Sequence, residues 1–349
     1  MTDRAPAFSS GGRRRSCFRS RVATAIVALT LATAFAPASA QRTYVIAFAN
    51  LTEEPGVTLE GTGFTGREIR ESVALAARGL PVEMVYYDNQ RDDARALANA
   101  ETAIARKVDL YIQYHRGAAN AAVGEKLRAA GIKVLAVNAP VPGAPLYTAD
   151  NEAAGRLAGE ALAQFAARAW RGQSQMAAAL VGPVDASAER VPERVQGVTR
   201  ALAQRLPAVR VTVIDTKGNP AQVGPLAGKF IGAHPTGKLL LAATDDATAL
   251  ALKAAVEQAG RVQDAAIVSH GVDRSIHGGM NDRKEIDPAN RASIVIGSVA
   301  FYLDRYGYDL LPLAMRMLRG ETVPARVTTR HLLVTAGNVY IEYPPYDMN

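Results

Sequence analysis

The chain has 349 residues, of which 48% are hydrophobic and 6% aromatic, with a formal charge of +7. That length suffices for two ordinary domains, and a single tryptophan, Trp170, argues against a site built on indole stacking. Residues 1–40 hold six of the 40 Lys and Arg but one of the 33 Asp and Glu, so the rest of the chain carries 34 against 32, a charge of +2. The apparent basicity therefore argues nothing about nucleic acid.

Residues 1–40 read as a cleavable secretory signal peptide. Arg13, Arg14, Arg15, Arg19 and Arg21 form a basic stretch, Val22 to Ala36 is apolar but short for a membrane span, and Ala38-Ser39-Ala40 supplies a small-residue cleavage pattern before Gln41. The one cysteine, Cys17, precedes the apolar run. After cleavage no thiol remains, which excludes disulfides, iron–sulfur clusters and cysteine nucleophiles. No membrane insertion is expected of the processed chain.

Short β-rich runs then alternate with amphipathic helices, the pattern of parallel sheets covered on both faces. The first series predicts strands at Tyr44 to Asn50, Val82 to Tyr87, Asp109 to Tyr114 and Lys133 to Asn138, with helices near Thr65 to Arg78, Asp92 to Arg106 and Ala118 to Ala130. A second series starts at Asp150-Asn151, which caps a helix running to about Ala167. It predicts strands at Ala177 to Val181, Arg210 to Asp215, Lys238 to Ala243 and Ala265 to Ser269. Helices are predicted near Glu189 to Arg205, Gln222 to Ala233 and Asp245 to Ala259. Two series of about five strands each define an α/β protein with two similar doubly wound lobes. The end breaks the alternation: Ser293 to Ala300 is β-like, Tyr306 to Leu318 helical, and Val327 to Val334 and Val339 to Tyr343 β-like again.

The order of several motifs resembles the periplasmic sugar-binding proteins of the ribose-binding type, the substrate-binding components of ABC transporters, which share a fold with the ligand domain of lac-type repressors. The matching stretches are Asp88-Asn89-Gln90 with Ala94 to Ala105, Ala130 to Leu135, Ala149-Asp150-Asn151 with Gly155 and Ala158-Gly159, and Arg194-Val195-Gln196-Gly197-Val198. Ala243-Thr244-Asp245-Asp246, Gly297 to Phe301 and Asp304-Arg305-Tyr306-Gly307 complete the set, which spans residues 43–335. The resemblance implies two lobes joined by a three-crossing hinge, near Ala149, Phe301 and Thr329, with a ligand cleft at the carboxyl ends of the strands. It divides the chain into the signal peptide at 1–40, an N-terminal lobe of 41–149 plus 301–328, and a C-terminal lobe of 150–300 plus 329–349.

The resemblance also supplies candidate ligand contacts. In the first lobe these are Glu60 and Phe64, the latter as a stacking aromatic, with His115, Arg116 and Asn138. In the second lobe and hinge they are Arg190, Thr244, Asp245, Asp273 and Phe301, whereas Arg194 matches a more structural arginine. Arg116 falls where the similar proteins carry an acidic ligand residue. Arginine only donates, in a fork suited to carboxylates or phosphates. Arg116 with Arg190 therefore suggests an anionic ligand, unless Arg116 pairs with Glu60 or another carboxylate and the ligand is neutral. Asp88, Asp150 and Asp245 each stand before a helix, where a cap is the simpler role.

Other motifs lead nowhere. Gly61-Thr62-Gly63-Phe64-Thr65-Gly66 fits a dinucleotide fingerprint with Asp88 beyond it, but lies too far past Asn50. His115, His234, His270, His277 and His331 lack helical metal spacing, and Ser187, Glu189 and Ser269 form no nucleophile elbow. No enzyme, cofactor or metal is expected. The reading is a periplasmic, monomeric solute-binding protein that presents a sugar-like or sugar-derived small molecule to an ABC permease. The alternative is a periplasmic sensory protein presenting a small acidic solute or carboxylated cofactor to a receptor.

Overall fold

The structure is a computed structural model that describes residues 42–278 and 284–344. Along the chain it runs β1 (Tyr44–Asn50), α1 (Gly66–Ala76), β2 (Val82–Asp88), α2 (Asp93–Ala105), β3 (Leu110–Tyr114), α3 (Ala119–Ala129), β4 (Lys133–Val137) and β5 (Leu146–Thr148). It continues α4 (Asn151–Ala169), β6 (Met176–Gly182), α5 (Val191–Arg205), β7 (Val211–Asp215), α6 (Val223–Ala233), β8 (Lys238–Ala243), α7 (Asp246–Gln258), β9 (Ala265–Gly271), α8 (Arg274–His277) and β10 (Val295–Ala300). Last come α9 (Tyr306–Leu318), β11 (Arg326–Thr328), β12 (Leu333–Val334) and α10 (Val339–Glu342).

The strands form two six-stranded sheets, ordered β11-β5-β4-β3-β1-β2 and β12-β10-β9-β8-β6-β7. Every pairing is parallel except β10 with β12. Each sheet thus gains a strand over the five expected, through the short returning strands β11 and β12. This is the two-lobed α/β architecture expected from the alternating series. The chain passes between the sheets after β5, after β10 and after β11.

Alternation puts successive strand residues on opposite faces. In β1, Ile46 and Phe48 join one apolar cluster while Ala47 and Ala49 join another. In β8, Leu240 and Ala242 face one way and Leu239, Leu241 and Ala243 the other. Both sheets are therefore covered on both faces, and their parallel strands bring the loops that follow them to one end of each sheet.

Two expectations fail here. Residues 327–334 are not one strand: Arg326–Thr328 pairs with β5, and Leu333–Val334 turns antiparallel to β10 in the other sheet. Residues 339–342 are helical rather than extended. Asn338 accepts from the Thr335 amide and buries Val339 while Ile341 stays 77% exposed, so a single helical turn satisfies the backbone.

Helices α4 and α5 meet at backbone distance. A Cβ on Gly155 would lie 2.0 Å from the Arg194 carbonyl oxygen, and one on Gly197 2.2 Å from that of Glu152. Only glycine permits that approach. It sets Arg194, on α5, over the start of α4.

Candidate functional site

The carboxyl ends of the parallel strands in both sheets converge on one cleft. From the first sheet come residues 51–65 after β1, Arg116 after β3, and Asn138 after β4; from the second come residues 183–190, 216–222, 244–245 and 272–273.

Glu60 is buried, 3% exposed. Its carboxylate accepts from the Tyr114 hydroxyl and from the Arg116 guanidinium. Arg116 also faces Glu189 of the opposite lobe at 3.7 Å. Burial raises the Glu189 pKa, against the pull of Arg116. The alternative pairing of Arg116 with Glu60 is thus the one the structure adopts. Arg190 pairs with Glu193 one helical turn on, and donates to the Ala149 carbonyl at 3.4 Å. Both guanidiniums that suggested an anionic ligand are engaged by protein acceptors, so that expectation loses its basis.

Arg194, fully buried, uses every N–H of its fork. Nε and Nη2 donate to Asn151 Oδ1 at 3.1 and 2.8 Å, and Nη1 donates to the Thr244 carbonyl in its own lobe. Across the cleft, Nη2 donates to the Glu60 carbonyl and Nη1 to that of Gly61, both at 2.8 Å. The guanidinium lies 4.4 Å from the Phe301 ring centroid, and burial pushes its pKa down to about 10. The match as a structural arginine missed this bridge between lobes, although its spacing to Gly197 was legible.

The remaining candidates divide. Asp245 caps α7 through the Thr248 amide at 2.7 Å and also accepts from the Thr244 hydroxyl. Asp273 caps α8 and abuts Gly63 of the opposite lobe. Asn138 accepts from the Ala149 amide and donates weakly to the Tyr306 hydroxyl, which places it at the hinge. Phe301, also at the hinge, packs between Arg194 and the rings of His270 and His331. Phe64 packs in the core beside Leu59 and Leu51, with no place in the cavity lining described below. His115 does not lie beside Arg116 in the cleft: 1% exposed, its Nε2 meets Asp93 of α2 at 2.7 Å, because successive residues leaving β3 point to opposite faces. Asp88 caps nothing; it accepts from the Gln90 amide in a turn, and Asp92 caps α2.

His331 organises the hinge. Its Nε2 accepts from the Asp150 amide at 3.0 Å, just past β5, and its Nδ1 donates to the Ala300 carbonyl at 2.9 Å, at the end of β10. One imidazole on the third crossing thereby touches the other two.

Beside Glu189 the lobes enclose a cavity of about 250 Å³. It is lined by Thr58 and Gly61 to Gly63 from one lobe, and by Glu189, Thr216, Asp245 and Thr248 among others from the second. The threonines could not be singled out from sequence, since nothing distinguishes a lining hydroxyl from an ordinary loop threonine. Among the described residues none that lines the cavity is cationic; Lys217, just outside it, is exposed and faces Asp215 at 3.7 Å. Among the described residues no helix is long and apolar enough to cross a membrane, and no acid, His and Cys group could hold a metal ion.

Two α/β lobes that face each other across a cavity define a solute-binding clamshell. The chain belongs to the periplasmic binding protein domain family, whose model matches residues 56–322. Its fold is similar to a glucose-galactose binding protein from Geobacillus stearothermophilus, with 19% identity, 86% of this chain and 99% of that one covered, and a TM-score of 0.60. An ABC transporter solute binding protein from Bacillus halodurans C-125 with bound myo-inositol gives 18% identity, 87% and 98% coverage and a TM-score of 0.63. One from Actinobacillus succinogenes 130z with bound D-allose gives 16%, 84% and 98%, and 0.63. No curated protein matches the chain.

Proposed function

We propose that this protein binds a neutral, polyhydroxylated solute, a monosaccharide or polyol, and delivers it as a monomer from the periplasm to an ABC permease. The observation that carries this reading is the cavity: threonines, Glu189 and Asp245 line it together with Pro183, Pro220, Val223, Ala247 and Ala251, and no lining residue among those described is a cation. Sugar hydroxyls donate to carboxylates and exchange hydrogen bonds with hydroxyls, whereas an anion here would meet two acidic groups and no lining cation. The solutes named for the similar folds, glucose and galactose, myo-inositol and D-allose, belong to this class. The lobes are taken as 41–149 with 301–328, and 150–300 with 329–349. The three crossings then serve as the hinge, and the closed pair of lobes presents the surface that a permease reads.

A thermal-shift screen tests the reading. A solute bound only by the native state stabilises it by about 2.7 kcal/mol at a hundredfold excess over Kd. Neutral sugars or polyols should raise Tm while sugar acids and sugar phosphates of the same skeleton do not. A rise confined to the anionic members would overturn it.

A further inference from the structure

The inner cleft, between the ends of β3 and β4 on one side and the start of α5 on the other, is filled by the chain itself. The tip of the loop after β1 is a closed turn: the Leu59 amide donates to the Phe64 carbonyl at 2.8 Å, and the Thr62 amide and hydroxyl both donate back to the Leu59 carbonyl. Glu60 and Gly61 at its apex both have left-handed backbones, φ 59° and 58°. For a glutamate that conformation is uncommon and persists where surroundings impose it. The surroundings here belong to both lobes. Tyr114 and Arg116 hold the Glu60 carboxylate from one side, while Arg194 reads the Glu60 and Gly61 carbonyls from the other. Arg116 closes the circuit by facing Glu189.

We propose that the Glu60–Gly61 turn is an internal occupant of the inner cleft, which latches the lobes shut without a solute and confines the solute to the outer cavity. The proposal rests on the cleft being the solute site. Its geometry is that of a captured guest: a carboxylate and two carbonyls held by donors from opposite lobes. The same turn walls the outer cavity through Gly61, Thr62 and Gly63, so closure and cavity shape are set together. A solute entering a cleft already closed does not have to supply the free energy of closing it.

The experiment needs no solute, so its outcome is separate from that of the solute screen. In a Cys17→Ser background, Glu125→Cys on α3 and Lys229→Cys on α6 place spin labels on exposed sites of the two lobes. Protein unfolded in guanidinium, dialysed free of small molecules and refolded should give one narrow interlobe distance. Glu60→Gly removes the carboxylate and relaxes the turn, and Arg116→Ala leaves Glu60 and Glu189 unneutralised. Each should lengthen or broaden the distance by more than about 2 Å, the scale of lobe rearrangements. A long or broad distribution in the solute-free parent overturns the proposal by itself, whether or not the variants fold. Folded variants with the parent's distance overturn it equally.

Discussion

Arg194→Lys isolates the bridge between the lobes. Lysine keeps the charge and nearly the length but replaces five fixed N–H donors with three on a rotating ammonium. Arg194 makes five hydrogen bonds to four acceptors: Asn151 Oδ1, and the carbonyls of Thr244, Glu60 and Gly61. At least two bonds must be lost, and a hydrogen bond from a charged group contributes about 1.5–3 kcal/mol, so the variant should lose about 3–6 kcal/mol. The acceptors cannot simply turn to water, since Asn151 and Thr244 are buried and Glu60 is nearly so. Urea unfolding at pH 7 measures the loss, with the slope against urea unchanged if the folded state stays compact. A loss under about 1 kcal/mol would show that the bridge is dispensable and that the lobes are held by other contacts.

Two further predictions concern the scaffold. Gly155→Ala drives a methyl into the Arg194 carbonyl at 2.0 Å and should destabilise by about 1–3 kcal/mol or more, whereas Gly228→Ala, on α6 with nothing within 4 Å, should stabilise by about 0.5–1 kcal/mol. Paired thermal melts check this, and equal shifts would refute the backbone contact between α4 and α5. His270, fully buried, has its pKa pushed down from 6.5 to about 3 by burial and by Arg194. Between those values the unfolded chain binds the extra proton, so stability is complete above pH 6.5 and falls with pH at about 1.4 kcal/mol per unit. His270→Gln removes that slope. The stability difference between parent and variant, measured in urea at pH 7, 6 and 5, should shift against the parent as pH falls, and a constant difference refutes the assignment.

Much of this architecture was legible because it depends on local pattern. The alternation in β1 and β8, and Asp150 and Asp245 before α4 and α7, specify strands, faces and caps within a few residues of themselves. What failed depended on choices that several local sequences satisfy equally. Asp88 and Asp92 both precede α2, and only the start of the helix decides that Asp92 caps it. Val339 to Ile341 suits a strand or a helical turn, and the Asn338 side chain decides for the turn. His115 and Arg116 are neighbours, yet the pleat sends one to Asp93 and the other to Glu60.

The charge of the solute shows why the site was harder to read than the fold. Arg116 alone argues for an anion, and nothing near it in sequence says otherwise. Its partners come from a loop 56 residues earlier and from the opposite lobe. Pairing then reverses the inference. Arg116 is taken by Glu60 and Glu189, and Arg194 by two carbonyls of the facing loop, one carbonyl of its own lobe and an amide oxygen. Asp245, held by the Thr244 and Thr248 hydroxyls and, among the described residues, not by a paired cation, lines the cavity with Glu189. A cleft selects by the charge that survives its internal pairing, and here that residue is acidic, which favours a guest that donates hydrogen bonds over one that carries negative charge.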